Sequence, residues 1–209
     1  STAGRSAPRP SATVCTRFRA SRRTSSFSGM PAGASHAGAA IIVPRPSERA
    51  ADAAGKIAAI RHCVLNAEAQ LGHRVDIIVD LDCTSPLRLS ADIRGCVELL
   101  MSSQAGNVIT ATPARRSPYF NLLERQPDGR IDLAKRAPTP ILRRQDAPEC
   151  FDMNASIYVW RRDMLFQREG LFHPDTALYV MPEERSLDID SELDFEVVSL
   201  LMERRVVRA

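Results

Sequence analysis

The stretch Val75 to Arg88, reading VDIIVDLDCTSPLR, constrains this chain more than any other. Val75, Ile77, Ile78, Val79 and Leu81 form a short apolar, largely β-branched run, and acids enter it only at Asp80 and Asp82, just before Thr84-Ser85-Pro86. Such a run predicts a buried strand that ends in a turn. In open α/β sheets the ligand crevice lies beyond the carboxyl ends of the strands. Asp82, Thr84, Ser85 and Arg88 are therefore the first candidates for a site, and an ordinary surface turn is the plainer alternative.

The flanking pattern alternates between strand and helix. Ile41, Ile42 and Val43 predict a short strand broken at Pro44 and Pro46, with Arg45 in the turn. Between Ser47 and Gln70, apolar residues at Ile57, Ile60, Val64 and Leu65 predict one helix that starts after Asp52. His62 on it reads as a surface or packed histidine, since no second metal-type residue sits at helical spacing. Ser90 is placed to cap a helix that ends near Ser102, and Val108 to Ala111 reads as the next strand. Strand, helix, strand in this order predicts a parallel crossover. Pro113 to Pro148 holds six prolines and predicts a small arm or hairpin outside the main sheet. Ala155 to Trp160 reads as a strand, Arg162 to Arg168 as a short helix and Leu178 to Met181 as another strand. Glu192 to Arg205 closes the chain as an amphipathic helix.

Charge is unevenly distributed along the chain. Residues 1 to 47 hold seven arginines and no acid or lysine, so the remainder carries 21 basic against 25 acidic groups, a net of −4. A body of that sign argues against nucleic-acid binding, which needs a clustered basic surface. Ser, Ala, Arg, Pro, Gly and Thr make up 34 of residues 1–40, with no helical or strand periodicity. That leader is expected to be a disordered tail, a targeting segment or a stretch translated out of frame. No apolar run approaches the roughly 18 residues of a membrane span, so a cytoplasmic protein without membrane contact is expected. The five cysteines are scattered without CxxC spacing and predict reduced thiols.

Ser186-Leu187-Asp188-Ile189-Asp190 holds the most suggestive chemistry. If the backbone is extended there, Asp188 and Asp190 point the same way and offer two hard oxygen ligands suited to Mg²⁺. The alternative is that they cap the helix that follows. Arg143-Arg144-Gln145-Asp146 could clamp an anion through its guanidinium groups, or be a solvated loop. Asn154 could read a hydroxyl or a base edge, or satisfy a turn.

Taken in order, these pieces resemble the CMP-N-acylneuraminate synthetases, the acylneuraminate cytidylyltransferases. The matching stretches are Arg45-Pro46-Ser47-Glu48 with Asp52, Thr84-Ser85-Pro86-Leu87-Arg88, Arg144-Gln145, Asn154-Ala155-Ser156-Ile157-Tyr158, and Ser186 to Asp194 as SLDIDSELD. Leu81-Asp82-Cys83, Ser117-Pro118-Tyr119-Phe120-Asn121 and Arg144 to Pro148 look more like the branch that activates legionaminic-type sugars. The resemblance implies a Rossmann-like α/β domain over residues 41–209 with a parallel-rich sheet and a dimerisation arm at about 123–153. It also implies a homodimer, and transfer of CMP from CTP to a nonulosonic acid with release of pyrophosphate. By that resemblance Asp188 and Asp190 would hold Mg²⁺ at the catalytic centre. Arg45, Thr84 and Ser85 would bind the nucleotide, and Asp82, Arg144, Gln145 and Asn154 the sugar acid.

The resemblance also has a gap. Members of the family begin with a strand and a phosphate-cradling loop of the type Ala-Arg-x-Gly-Ser-Lys-Gly, and no such loop occurs in residues 1–40. The expectation is a truncated or frame-shifted start, a fold lacking its first strand, and weak activity. A non-catalytic dimerising or sugar-binding remnant is the alternative function.

Overall fold

The computed structural model describes residues 12–17, 43, 56–141 and 143–208, with only the backbone described at 12–17 and 206–208. In chain order the elements are β1 (Ala12–Arg17), α1 (Lys56–Leu71), β2 (Ile77–Asp82), α2 (Ser90–Ser102), β3 (Asn107–Pro113), β4 (Leu123–Arg125) and β5 (Ile131–Leu133). They continue as β6 (Phe151–Arg161), α3 (Arg162–Gln167), β7 (Thr176–Val180) and α4 (Glu192–Arg208). Among the described residues five strands form one sheet in the order β1-β2-β6-β3-β7, and β4 and β5 pair separately. β1 lies parallel to β2 and β3 parallel to β7, while β6 runs antiparallel to both β2 and β3. Four strands thus share one direction, as the α/β reading requires. β2, α2 and β3 form the expected crossover, with β6 inserted between its two strands.

β2 reads as almost continuously apolar because both of its faces are covered. Ile77, Val79 and Leu81 pack with Cys96 and Leu100 of α2 and with Ile157 and Val159 of β6. Ile78 faces the other layer, with Ile57, Ile60 and Val64 of α1, Tyr158 and Trp160 of β6, and Leu165 of α3. Side chains two apart on a strand share a face, so Asp80 and Asp82 lie on the α1 side with Ile78. That layer is tied by Glu68, whose carboxylate accepts from Arg162 Nε at 2.6 Å and Nη2 at 2.8 Å, and from the Val75 N–H at 3.0 Å.

Several expectations are corrected. The leader was expected to add no strand and the sheet to lack its first one, yet Ala12–Arg17 pairs with β2 from Ala12↔Ile77 to Arg17↔Asp82. Its signal lies in Thr13, Val14 and Thr16, β-branched residues that favour the extended backbone. Ile41 and Ile42 lie outside the described residues and Val43 is in no strand; Arg45 and Asp52 also lie outside. Ser90 does not cap α2. The cap position is Leu89, whose N–H donates to Asp92 Oδ2 at 2.8 Å, so the carboxylate on the first turn takes over the task of a capping hydroxyl. Asn154 lies within β6, not in a turn before it.

Candidate active site

The tip of β2 is shaped by its own polar residues. Asp82 Oδ1 accepts from the Thr84 N–H at 3.2 Å and the Thr84 hydroxyl at 3.0 Å, which bends the chain away from the strand. Arg88 Nη1 donates to the Asp82 and Ser85 carbonyls, both at 2.6 Å, and so staples the loop from beneath. Burial holds its guanidinium below the usual arginine value, offset by the charges of Asp82 and its neighbours. Arg88 therefore shapes the loop and turns its charge toward backbone carbonyls.

The loop that follows β7 folds back over this tip. The Ile189 N–H donates to the Thr84 carbonyl at 2.9 Å. The Ser85 hydroxyl, fully buried, reaches both the Asp188 carboxylate and the Asn154 carbonyl, the latter at 3.2 Å. Arg185 anchors the start of this loop by pairing with buried Asp92 at 2.8 and 3.0 Å. The cap of α4 is made by Ser191 and Asp194: Asp194 Oδ2 accepts from the Ser191 N–H at 2.8 Å and the Asp190 N–H at 3.2 Å. Asp188 is thus directed to the β2 tip, not to the helix end.

Burial pushes the Asp188 carboxyl up to about 6; the charges of Asp190 and Asp82 push the same way, against the Ser85 hydrogen bond and the charge of Lys56. The charges of Asp190 and Asp82 both bear on the partly desolvated Asp188 carboxylate, an imbalance of the kind that a hard divalent cation relieves. Among the described residues no group of three or more His, Cys, Asp or Glu gathers to hold a metal. A cation there needs oxygens from water or a ligand as well, the manner of Mg²⁺.

Asn154 braces the third side. The chain bulges here, with register passing from Ile109↔Tyr158 to Ala111↔Met153, and Ala155 takes a left-handed φ of 49°. The buried Asn154 amide donates to the Ser186 hydroxyl at 3.0 Å, and its oxygen accepts from Thr110 Oγ1 at 2.7 Å. Asn154 thereby joins β3, β6 and the Asp188 loop. A non-glycine residue in the left-handed region is costly and tends to mark a functional site.

Asp82, Thr84, Ser85, Asn154 and Asp188 therefore converge, with exposed Asp190 close enough to Asp188 to act on its charge. Arg144 and Gln145 sit apart, on a 3₁₀ turn spanning Arg144–Asp146. Arg144 Nη2 donates to the Ala114 carbonyl at 3.0 Å and lines a cavity of about 460 Å³ with Arg115, Arg116 and Glu183. A neighbouring cavity of about 340 Å³ is lined by Thr112, Pro113, Val180, Met181, Pro182 and Glu183. Met181 sulfur lies 3.5 Å from the Asn154 amide, so the two groups of residues meet along the end of β7. Sequence reasoning missed Lys56, Thr110 and the Asp92–Arg185 pair. Only Lys56 carries a sequence signal, as one of two lysines against 26 arginines.

These features define an α/β domain whose carboxylates Asp82 and Asp188 gather at the carboxyl end of β2, the end of the sheet at which such folds take their ligands. No family model matches the chain. It is 41% identical over 172 residues to the post-translational flagellin modification protein B of Campylobacter coli, covering 82% of this chain and 72% of that protein. It is 40% identical over 165 residues to the CMP-N,N'-diacetyllegionaminic acid synthase of Campylobacter jejuni, covering 79% of this chain and 69% of that one. An N-acylneuraminate cytidylyltransferase of Streptococcus agalactiae is 28% identical over 115 residues, 55% of this chain and 27% of that protein. The chain belongs to the acylneuraminate cytidylyltransferase family of nucleotidyltransferases, on its legionaminic-type branch.

Proposed function

We propose that this protein transfers CMP from CTP to a nonulosonic acid of the legionaminic type, with release of pyrophosphate. The observation that carries the reading is the Asp188 carboxylate, half-buried and turned onto the polar tip of β2 at Ser85. The anomeric hydroxyl of the sugar acid attacks the α-phosphorus and gives up its proton to water, the bond from that phosphorus to the bridging oxygen breaks, and the electron pair leaves with pyrophosphate. Asp188 and Asp190 would hold Mg²⁺. Bound there, the ion would neutralise charge on the phosphate oxygens. Thr84 and Ser85 border the nucleotide, and Asp82, Asn154, Arg144 and Gln145 serve the sugar acid. Arg45, outside the described residues, belongs to the nucleotide side in the same reading. Displacement at phosphorus is accelerated chiefly by alignment and charge neutralisation, which these residue types supply.

The same reading makes the protein a cytoplasmic homodimer that meets its partner through the β4–β5 hairpin, where Leu123 and Ile131 are 63% and 53% exposed. No described helix is long and apolar enough to cross a membrane.

Calorimetric titration with CTP and Mg²⁺, followed by a CMP-sugar synthesis assay with N,N'-diacetyllegionaminic acid, tests the proposal. Metal-dependent CTP binding and formation of the CMP-sugar are expected. Sugar binding without any CTP heat would favour the non-catalytic reading and sink this one.

A further inference from the structure

Arginine accounts for 26 of the 28 basic residues, and only Lys56 and Lys135 are lysines. Each places its ammonium over a tyrosine ring: Lys56 lies 3.3 Å from the Tyr158 centroid and Lys135 lies 5.1 Å from that of Tyr119. Lys135 sits on the excursion near β5, whereas Lys56 opens α1 and reaches onto the sheet.

Lys56 Nζ is 3.5 Å from Asp80 Oδ2, a side chain with no solvent exposure, while the Lys56 side chain keeps 22% of its own. Asp80 and Tyr158 are cross-strand partners on β2 and β6, so two neighbouring groups fix the ammonium at one point of the sheet. A compact point charge suits that seat between a carboxylate and a ring face; a planar guanidinium has another shape. Asp82 stands two residues along the same strand and therefore on the same face.

Negative charge from Asp82 and Asp190 bears on Asp188 at the tip of β2, and both substrates of the proposed reaction are anions. A metal at Asp188 and Asp190 serves phosphates. A carboxylate entering on the Asp82 side needs a cation of its own. Arg88 is committed to the Asp82 and Ser85 carbonyls, and Arg144 lies at the cavity near Ala114. Among the described side chains, Lys56 is the basic group that packs on the Asp80 and Asp82 face of β2.

We propose that Lys56 is a specificity-determining contact whose ammonium takes the carboxylate of the sugar acid. This rests on the cytidylyl-transfer reading above. Steady-state kinetics of the full chain with CTP, Mg²⁺ and N,N'-diacetyllegionaminic acid test it. Lys56→Met is expected to raise KM for the sugar acid about tenfold or more, as loss of a charge-assisted hydrogen bond does, and to leave KM for CTP within about twofold. Lys56→Arg, which keeps the charge in a different shape, recovers part of that loss. Because Lys56→Met leaves Asp80 buried, the double variant Lys56→Met with Asp80→Asn removes both charges and separates contact from folding. It should melt close to the wild type and still show the raised KM. A folded double variant with unchanged KM for the sugar acid, or an equal rise in KM for CTP, overturns the assignment. If the wild type itself makes no CMP-sugar, the transfer reading fails first and this inference falls with it, a result visible before any variant is made.

Discussion

Asp92 on α2 pairs with Arg185 at the start of the loop that carries Asp188; both acids are withdrawn from water, and the fold treats them in opposite ways. Asp92 is 1% exposed and carries a two-pronged Arg185 and the Leu89 N–H, so its charge is matched where it is buried. Asp188 meets a serine hydroxyl and the repulsion of Asp190 and Asp82, and its carboxyl rises to about 6. Glu68 belongs with Asp92: the hydrogen bond from Arg162, first among several causes, holds its carboxyl below the usual range. On the proposed function, the difference separates carboxylates that hold the structure from one that a bound ligand would engage. A matched buried charge locks elements together, whereas a mismatched one is tolerated where something binds.

The contrast is easiest to break at Asp188. Asp188→Asn should cut CMP-sugar formation by about a hundredfold or more, the scale of losing a group that stabilises charge in the transition state. Its melting temperature should stay near the wild-type value or rise, as thermal unfolding without metal would show. A large drop in stability would mean that Asp188 is a structural carboxylate after all. Asp92→Ala should do the reverse, lowering stability by about 3 kcal/mol because Arg185 loses its partner. Urea unfolding measures that loss. The loop bearing Asp188 loosens at the same time, so activity falls too, but by less than in Asp188→Asn.

The smallest effect concerns pH. A lowered folded-state value means that Glu68 contributes stability above the ordinary carboxyl range and loses it as pH falls through the folded value. Glu68→Gln should therefore cost about 1–2 kcal/mol at pH 7. The gap between variant and wild type should close on acidification below about pH 4, near the reference carboxyl value. Melting curves between pH 7 and pH 3 follow it, and a gap that stays constant would show that the pair contributes no charge-dependent stability.

The β2 run and the acids after it were legible because burial on both faces leaves a continuous apolar signal, and a strand end is where polarity can begin. The SLDID segment was legible for its paired acids, although helix capping competed until Ser191 and Asp194 proved to make the cap. β1 was not legible, since its strand residues are set in an Arg/Ser/Ala background whose composition dominates any window. The place of Asn154 could not be read either, because a bulge is set by two partner strands and leaves no periodic mark. Lys56 and Asp80 lie 24 positions apart in sequence and become a pair only once α1 packs on β2. Arg144 was recognisable as an anion-binding type, but its setting beside Arg115 and Arg116 depends on how the excursion returns.

That return has a consequence for how the molecule can vary. The excursion leaves the sheet at Pro113 and rejoins it at Phe151, its direct register partner, and the Ala114 N–H donates to the Cys150 carbonyl at 2.9 Å. Residues 114–150 are thus a closed bight cinched at its neck. Length added to such a bight costs little, since closure entropy grows only with the logarithm of length. The span between Arg116 and Arg143 can be lengthened, shortened or exchanged for a foreign hairpin while β3 and β6 keep their alignment, which makes it the natural place for relatives to diverge in size without disturbing the catalytic frame.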